Sequence, residues 1–353
     1  MLGVHQAEII NAFRLSDVDA KVTVGVIDSV YQPPDGFAKN NDIGRRMDIL
    51  PDCDSRDTTN HGGVVCRILS SCSERLEYNF YRVTQAVDGG KIWERHLINA
   101  IGYAHKRDNV DIINISAGND HSEDGSEGCA RHNQPCKVRE AAEEAIYDGI
   151  AVVAAAGNDD QYDSVCCPSL LDTAISVGGF VSKCTCNPRN EGSIAIDNDL
   201  KPPLACWTNN DRVSYQFCSG DGCIPLPEYS CDKDQSVENW SGNVDPVWNK
   251  PDVFGPAASI VYGDEPEIIP ATSWATPFVT AMAAEMVAAV RNRGKELPPY
   301  LIRQAINNTS EKMDSGEDML FNAQSSLLYI YDELGLPRPN FESSETFESG
   351  ADL

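Results

Sequence analysis

Residues 270–290 read PATSWATPFVTAMAAEMVAAV, a stretch of small and apolar residues around a single serine. After the first small residues, apolar side chains recur at helical spacing, which predicts a buried helix. Ser273 lies where this helix would begin. Its hydroxyl could be an N-cap, because serine at a helix start satisfies an orphan backbone amide. It could equally be a nucleophile, because the positive end of the helix dipole favours a developing oxyanion.

The segments before this helix predict an α/β protein. Residues 21–28 form a β-branched run that ends in Asp28, a pattern typical of a buried parallel strand with a polar group at its carboxyl end. Further strands are predicted at 78–83, 110–116, 150–158 and 173–178, with helices at 61–69, 92–106, 138–148, 300–308 and 321–334. This alternation predicts three layers, a mostly parallel sheet with helices on both faces.

Composition and periodicity along the chain also predict its domain organisation. Residues 1–337 are expected to form one domain. Within it, residues 181–238 show no clear periodicity and are rich in cysteine, proline, glycine and asparagine, which predicts a cysteine-rich insertion. Residues 338–353 are acidic and rich in serine, which predicts a disordered tail.

The charge balance restricts the partners. The 353 residues include 28 Lys and Arg against 54 Asp and Glu, a formal net charge of −26. This charge argues against a nucleic acid partner and against an anionic membrane. Such an acidic surface also suits high salt, so a halophilic source is one hypothesis. Residues 1–22 contain no apolar signal-peptide core, so cytoplasmic localisation is expected, or secretion if a leader has already been removed.

Acidic residues and cysteines raise the question of metal ions. Carboxylates at Asp48, Asp52, Asp54 and Asp57 can bind structural calcium, but their spacing matches no defined calcium loop, so a solvated acidic face is favoured. The thirteen cysteines contain no paired Cys-x-x-Cys elements, and disulfides are therefore favoured over zinc. Disulfides conflict with a reducing cytoplasm, which weakens the expected localisation.

Four polar residues follow predicted strands or open predicted helices, namely Asp28, His61, Asn158 and Ser273. In a parallel sheet these ends share one edge, so the four side chains can converge. The surrounding residues read VGVID at the aspartate, HGGVV at the histidine, VVAAAGN at the asparagine and ATSWATPFV at the serine. In this order they resemble the subtilisin-like serine proteases (subtilases, peptidase family S8), over roughly residues 8–310 apart from the insertion.

The resemblance implies a serine endopeptidase that acts on polypeptides and needs no cofactor for its chemistry. Its catalytic triad would be Asp28, His61 and Ser273, acting through an acyl-enzyme. Asn158 would donate to the oxyanion. Ser116, Ala117 and Gly118 would be the segment that pairs with the substrate backbone, beside the first specificity pocket.

Three positions depart from the family pattern, the mildest being Gly63, which occupies a common threonine position. Ala271 stands where the family usually has glycine, and alanine would strain the turn if that position needs φ > 0. Trp274 replaces the usual methionine after the nucleophile.

Two alternative functions remain open from the sequence. One is a catalytically weak homologue that binds peptides or partners, and the other is a transpeptidase or macrocyclase that excludes water.

Overall fold

The computed structural model describes residues 10–15, 18–28, 43–48, 61–73, 76–83, 94–118, 136–157, 165–180, 193–196, 214–219, 222–225, 250–262, 266–312 and 319–341. The strands are β1 (Val22–Asp28), β2 (Ile43–Asp48), β3 (Leu76–Arg82), β4 (Ile112–Ile115), β5 (Ala151–Ala155), β6 (Ile175–Phe180), β7 (Ser193–Ile196), β8 (Ser214–Ser219), β9 (Gly222–Pro225), β10 (Val253–Pro256), β11 (Ala258–Tyr262), β12 (Pro266–Pro270), β13 (Glu311–Lys312) and β14 (Met319–Leu320). The helices are α1 (His61–Cys72), α2 (Glu94–Gly102, continued by a π-helical turn at Tyr103–Arg107), α3 (Lys137–Tyr147), α4 (Thr272–Arg291), α5 (Pro299–Thr309) and α6 (Ala323–Glu333).

One mostly parallel sheet organises these elements. Its strand order is β13-β14-β10-β6-β5-β4-β1-β3-β2, and every neighbouring pair is parallel except β13 with β14. The predicted fold class is therefore confirmed. The strands predicted from 110–116 and 150–158 are shorter in the structure, where β4 spans Ile112–Ile115 and β5 spans Ala151–Ala155.

Alternating side chains give the sheet two buried faces. Val24 and Val26 belong to the apolar core that contains α1, α4, α5 and α6. Ile27 belongs to a second core with α2 and α3 on the other face. Because neighbouring residues of a strand point to opposite faces, a strand that is apolar throughout must be covered on both. The predicted three layers follow from this.

Helix α4 is the buried helix predicted from residues 270–290. All of its side chains are buried except that of Arg291. It is long and apolar enough to cross a membrane, but its burial against the sheet and α1 identifies it as a core helix. Its N-cap is Ala271, at φ −159° and ψ 148°. This is extended backbone that any residue adopts, so the strain considered for Ala271 does not arise.

A buried ionic cluster fixes the strand that leads towards α4. The Lys250 ammonium donates to Asp252 at 2.6 Å and to the Ala174 carbonyl at 3.0 Å. Asp252 also accepts from the Ser176 amide at 2.8 Å and from Arg303 of α5 at 2.6 Å. Burial lowers the pKa of Lys250, while the Asp252 carboxylate opposes that shift. The cluster ties the start of β10 to β6 and to α5.

Several strands lie where no regular structure is predicted from the sequence, among them β2, β11 and β12. β2 lies at one end of the sheet, in a region that reads as a loop. The antiparallel pair β11 and β12 connects β10 to α4. Phe341 packs edge to face against Phe13, so the chain is still packed at the start of the predicted tail.

The predicted insertion and tail fall largely outside the described residues. Within 181–238 the structure describes β7, β8 and β9, which form a small sheet of their own. Whether the rest of that segment is a cysteine-rich insertion stays a prediction, as does disorder of the tail, whose residues 342–353 lie outside the described part. Cys136, just before α3, is disulfide-bonded.

Candidate active site

The carboxyl edge of the sheet brings an aspartate and a histidine together. Asp28 is the last residue of β1 and is 1 % exposed, while His61 is the first residue of α1 and its side chain is 27 % exposed. Their side chains lie 2.6 Å apart, His61 Nδ1 to Asp28 Oδ1. A carboxylate can only accept, so Nδ1–H donates, and the other ring nitrogen of a neutral imidazole is then a proton acceptor.

β1 is placed where the chain changes direction in the sheet. It pairs with β3 on one side and with β4 on the other. In open α/β sheets, such a point leaves a crevice at the carboxyl ends of the strands, and ligands bind there. Asp28 ends β1 and Ser116 follows β4, so both lie at this crevice.

Ser273 is buried at the amino end of α4, on the same edge. It is the second residue of the helix and is 7 % exposed. Its hydroxyl donates to the carbonyl oxygen of Ser116 at 3.0 Å. Since Ala271 is the N-cap, the hydroxyl of Ser273 is not the capping group, which removes one of the two interpretations drawn from the sequence.

A buried polar network holds α4 against β4. The Thr280 hydroxyl donates to Asn114 Oδ1 at 2.8 Å, and Asn114 Nδ2 donates to Ser116 Oγ at 3.0 Å. All three side chains are almost fully buried, at 0 % or 1 % exposure. Because buried polar groups are costly without partners, this network specifies one position of α4 over the strand. Ser273 is thereby held in register with Ser116.

Sequence reasoning missed Asn114 and Thr280. One signal was present, since Asn114 is the single polar residue in the apolar strand β4. A buried amide needs partners, so a polar contact from a helix above the strand could have been expected.

Trp274 contacts the histidine. The ring centroids of Trp274 and His61 lie 4.6 Å apart with their planes at 38°, and Trp274 is 3 % exposed. This ring contact restricts the orientation of the imidazole. The same contact brings α1 and the first turn of α4 together, with Ser273 adjacent in the chain.

The residue before Asn158 is tied to the residue before Ser273. Gly157 N–H donates to Thr272 Oγ1 at 3.3 Å. Gly157 has φ +112°, a conformation that side chains rarely adopt, so the turn there requires glycine. Asn158 itself lies outside the described residues.

The three residues predicted to bind substrate follow β4 at the same edge. Ser116 is buried, whereas Ala117 and Gly118 are half-buried. A side chain on Gly118 would collide with Cys166, whose Sγ lies 2.1 Å from where its Cβ would be. The segment therefore has a neighbour that the sequence pattern did not indicate.

Cys66 is a second candidate nucleophile near the aspartate. It lies on α1 and is 3 % exposed. Burial raises the pKa of the Cys66 thiol, and the negative charge of Asp28 raises it further. A thiol is nucleophilic as its thiolate, so Cys66 stays protonated and unreactive at neutral pH.

Metal ions have no ready site in the part of the chain that the structure describes. No group of three or more His, Cys, Asp or Glu side chains is close enough there to hold one. Of the acidic residues considered for calcium, Asp52, Asp54 and Asp57 lie outside the described residues. Structural calcium stays a prediction.

These observations define a class of protein, an α/β protein that gathers an aspartate, a histidine and a helix-start serine at the carboxyl edge of a parallel sheet. A family model described as the subtilase family matches residues 20–326. The chain belongs to the subtilase family, whose members are serine proteases that act on polypeptides.

Solved structures of the same fold agree with this assignment. The prenylagaramide maturation protease PagA is 17 % identical with a TM-score of 0.58, covering 92 % of this chain and 98 % of that chain. The patellamide maturation protease PatA is 17 % identical with a TM-score of 0.58, covering 89 % and 98 %. A cold adapted subtilisin-like serine proteinase is 16 % identical with a TM-score of 0.53, covering 92 % and 98 %. No curated protein matches the sequence.

Proposed function

We propose that the protein is a serine endopeptidase that hydrolyses peptide bonds through an acyl-enzyme on Ser273. His61 is the general base, and Asp28 holds its tautomer. The observation that carries this proposal is the 2.6 Å hydrogen bond between the buried Asp28 and the partly exposed His61, whose ring also contacts Trp274 beside Ser273. A histidine held in this way can take a proton from a neighbouring hydroxyl.

The first step forms a bond between Ser273 Oγ and the substrate carbonyl carbon. In the resting structure the hydroxyl donates to Ser116 O, so it turns towards His61 before the attack. Such a rearrangement is ordinary, because catalytic hydrogen bonds often form only when substrate is bound. The proton passes to Nε2 of His61, and the Asp28 carboxylate stabilises the imidazolium. The carbonyl electrons move onto oxygen, which becomes an oxyanion.

Two donors are proposed for the oxyanion. The amide of Ser273 is one, since backbone N–H groups in the first turn of a helix lack intrahelical acceptors. The Asn158 side chain is the other. The hydrogen bond between Gly157 and Thr272 supports this role. Gly157 directly precedes Asn158 and Thr272 directly precedes Ser273, so the bond links the two chain segments that carry the proposed donors. Donors fixed in place before the reaction stabilise the transition state without reorganising.

Water completes the reaction. The C–N bond breaks as His61 gives its proton to the leaving amine. His61 then takes a proton from the water that attacks the acyl-enzyme, and gives it to Ser273 Oγ as the bond between that oxygen and the acyl carbon breaks. The 27 % exposure of the His61 side chain leaves it accessible to solvent, which supports hydrolysis over transfer to a second peptide. No metal or cofactor enters these steps.

Kinetics of a serine variant test the proposal. Ser273→Ala should lower kcat for a mixture of peptides by at least about 10⁴-fold, since triad knockouts cost orders of magnitude. Ser71→Ala is the matched control, because Ser71 is exposed on α1 and its hydroxyl contacts the Ile68 carbonyl and the Cys72 sulfur of the same helix. Peptide hydrolysis that survives in Ser273→Ala at the rate of Ser71→Ala would refute the proposal. Peptide binding without hydrolysis in the wild type would instead favour the binding homologue.

A further inference from the structure

A gap opens beside Ser273 where two neighbouring strands end. β4 and β5 are paired up to Ile115 and Ala154. Beyond that point the two segments make different contacts. Ser116 O accepts from Ser273, whereas the Ala156 amide donates to Val177 O on β6 at 2.9 Å. The residues after β4 and the residues after β5 therefore form two sides of one gap.

Cys166 fills this gap from within. Its amide donates to Ala156 O at 2.9 Å, and its thiol donates to Ala155 O at 3.1 Å. On the opposite side, its sulfur lies 2.1 Å from the position of a Cβ on Gly118. Such an approach is possible only because residue 118 is glycine. The sulfur therefore spans the distance between the two sides.

The backbone of Cys166 cannot simply retreat. Its carbonyl accepts from the Leu170 amide at 3.1 Å, so the residue is held through its amide, its carbonyl and its side chain. A larger group entering the gap would have to displace these hydrogen bonds or overlap with the sulfur. Overpacking of this kind is costly in a close-packed site.

We propose that Cys166 is a specificity-determining residue, which limits the substrate residue before the scissile bond to the small side chains of glycine, alanine and serine. This inference rests on the proposed peptidase function. The substrate carbonyl must lie against Ser273 Oγ, which is 3.0 Å from Ser116 O. The residue that carries this carbonyl therefore lies beside Ser116 and Gly118, and the gap is the space available to its side chain.

The test compares peptides that differ only at that residue. The wild type should hydrolyse Ala peptides with a kcat/KM at least about 100-fold above that of Leu or Phe peptides, the range by which pocket size discriminates between side chains. Cys166→Gly should raise the ratio of Phe to Ala by at least about tenfold. Cys166→Ala should raise it less, and serves if the glycine variant fails to fold. Cys72→Ala, which removes a buried sulfur at the far end of α1, should leave the ratio unchanged.

Two outcomes overturn the inference and can be told apart. Efficient wild-type cleavage after Phe, Leu or Arg, or a Phe to Ala ratio that stays the same in both Cys166 variants, refutes the role of Cys166 while the peptidase function stands. Absence of hydrolysis for every peptide, together with no labelling of Ser273 by a fluorophosphonate, refutes the peptidase function and this inference with it.

Discussion

Two histidine–aspartate pairs in this molecule have nearly the same hydrogen bond and very different surroundings. His61 and Asp28 lie 2.6 Å apart, and His105 and Asp148 lie 2.7 Å apart. In the first pair the aspartate is 1 % exposed and the histidine side chain 27 %. In the second the histidine is 7 % exposed and the aspartate 54 %. The first histidine is therefore accessible enough to accept a proton from a substrate or a hydroxyl. The second histidine is buried and is not accessible in this way.

Their places in the fold explain the difference. Asp28 ends a central strand and His61 begins a helix, so both face the edge where Ser273 and Trp274 lie. His105 lies in the π-helical turn after α2, and Asp148 is the C-cap of α3, so this pair joins two helices on one face of the sheet. A histidine–aspartate bond is therefore not a catalytic signal by itself. What distinguishes the first pair is the buried acid, the partly exposed imidazole and its place at the sheet edge where Ser273 lies.

The largest expected effect separates the two histidines. His61→Ala should lower kcat/KM by at least about 10⁴-fold, because it removes the base. His105→Ala should leave kcat/KM within about threefold and should instead lower the free energy of unfolding by about 1–3 kcal/mol, because it leaves a cavity between helices. Peptide kinetics and urea unfolding of both variants measure this. Equal kinetic losses in the two variants would contradict the comparison.

Substitution of Asp28 should lower kcat far more than substitution of Asp148. Asp28→Asn should lower kcat by about 10⁴-fold, since an amide can donate to Nδ1 and stabilise the wrong tautomer of His61. Asp148→Asn should have little effect on kcat, because its exposed side chain only orients a buried imidazole. Separate measurement of kcat and KM for both variants tests this expectation. If Asp28→Asn changed KM alone, Asp28 would act in substrate binding and not through His61.

Trp274 should produce the smallest effect. Trp274→Leu removes the ring that restricts the orientation of the His61 imidazole, so kcat/KM should fall by about tenfold, because a misplaced base transfers protons less efficiently. Trp274→Phe keeps an aromatic ring against His61 and should lie between the wild type and Trp274→Leu, while Tyr147→Leu, at a 91 % exposed aromatic, is the control. A kcat/KM that is the same in Trp274→Leu and Tyr147→Leu would show that the ring contact does not position the base.

Much of the fold was predictable because buried parallel strands are continuous apolar runs. β1, β5 and α4 have this property. β2 reads IGRRMD, and a strand at the end of a sheet tolerates such charges, so its sequence resembles a loop. β12 begins and ends in proline and, among the described strands, pairs with β11 alone, so its sequence lacks the periodicity of a sheet strand.

The site was predictable to a similar extent. The spacing of motifs suggested that Asp28, His61 and Ser273 share one edge, because parallel strands end together. The contact between Thr280 and Asn114 was not predictable, since it joins residues 166 positions apart and depends on how far α4 is shifted along β4. The contact between Gly118 and Cys166 was unpredictable for the same reason, since it depends on the tertiary fold. In the sequence its one trace is the glycine at position 118.

The central claim is that Ser273, and no other serine, is activated by the Asp28–His61 pair. Labelling with a fluorophosphonate, followed by mass mapping of the modified peptide, tests it directly, because this reagent reacts with an activated serine hydroxyl. We expect a single adduct at Ser273 in the wild type and in His105→Ala, and no adduct in His61→Ala. An adduct on a different serine, or undiminished labelling of Ser273 in His61→Ala, would contradict it.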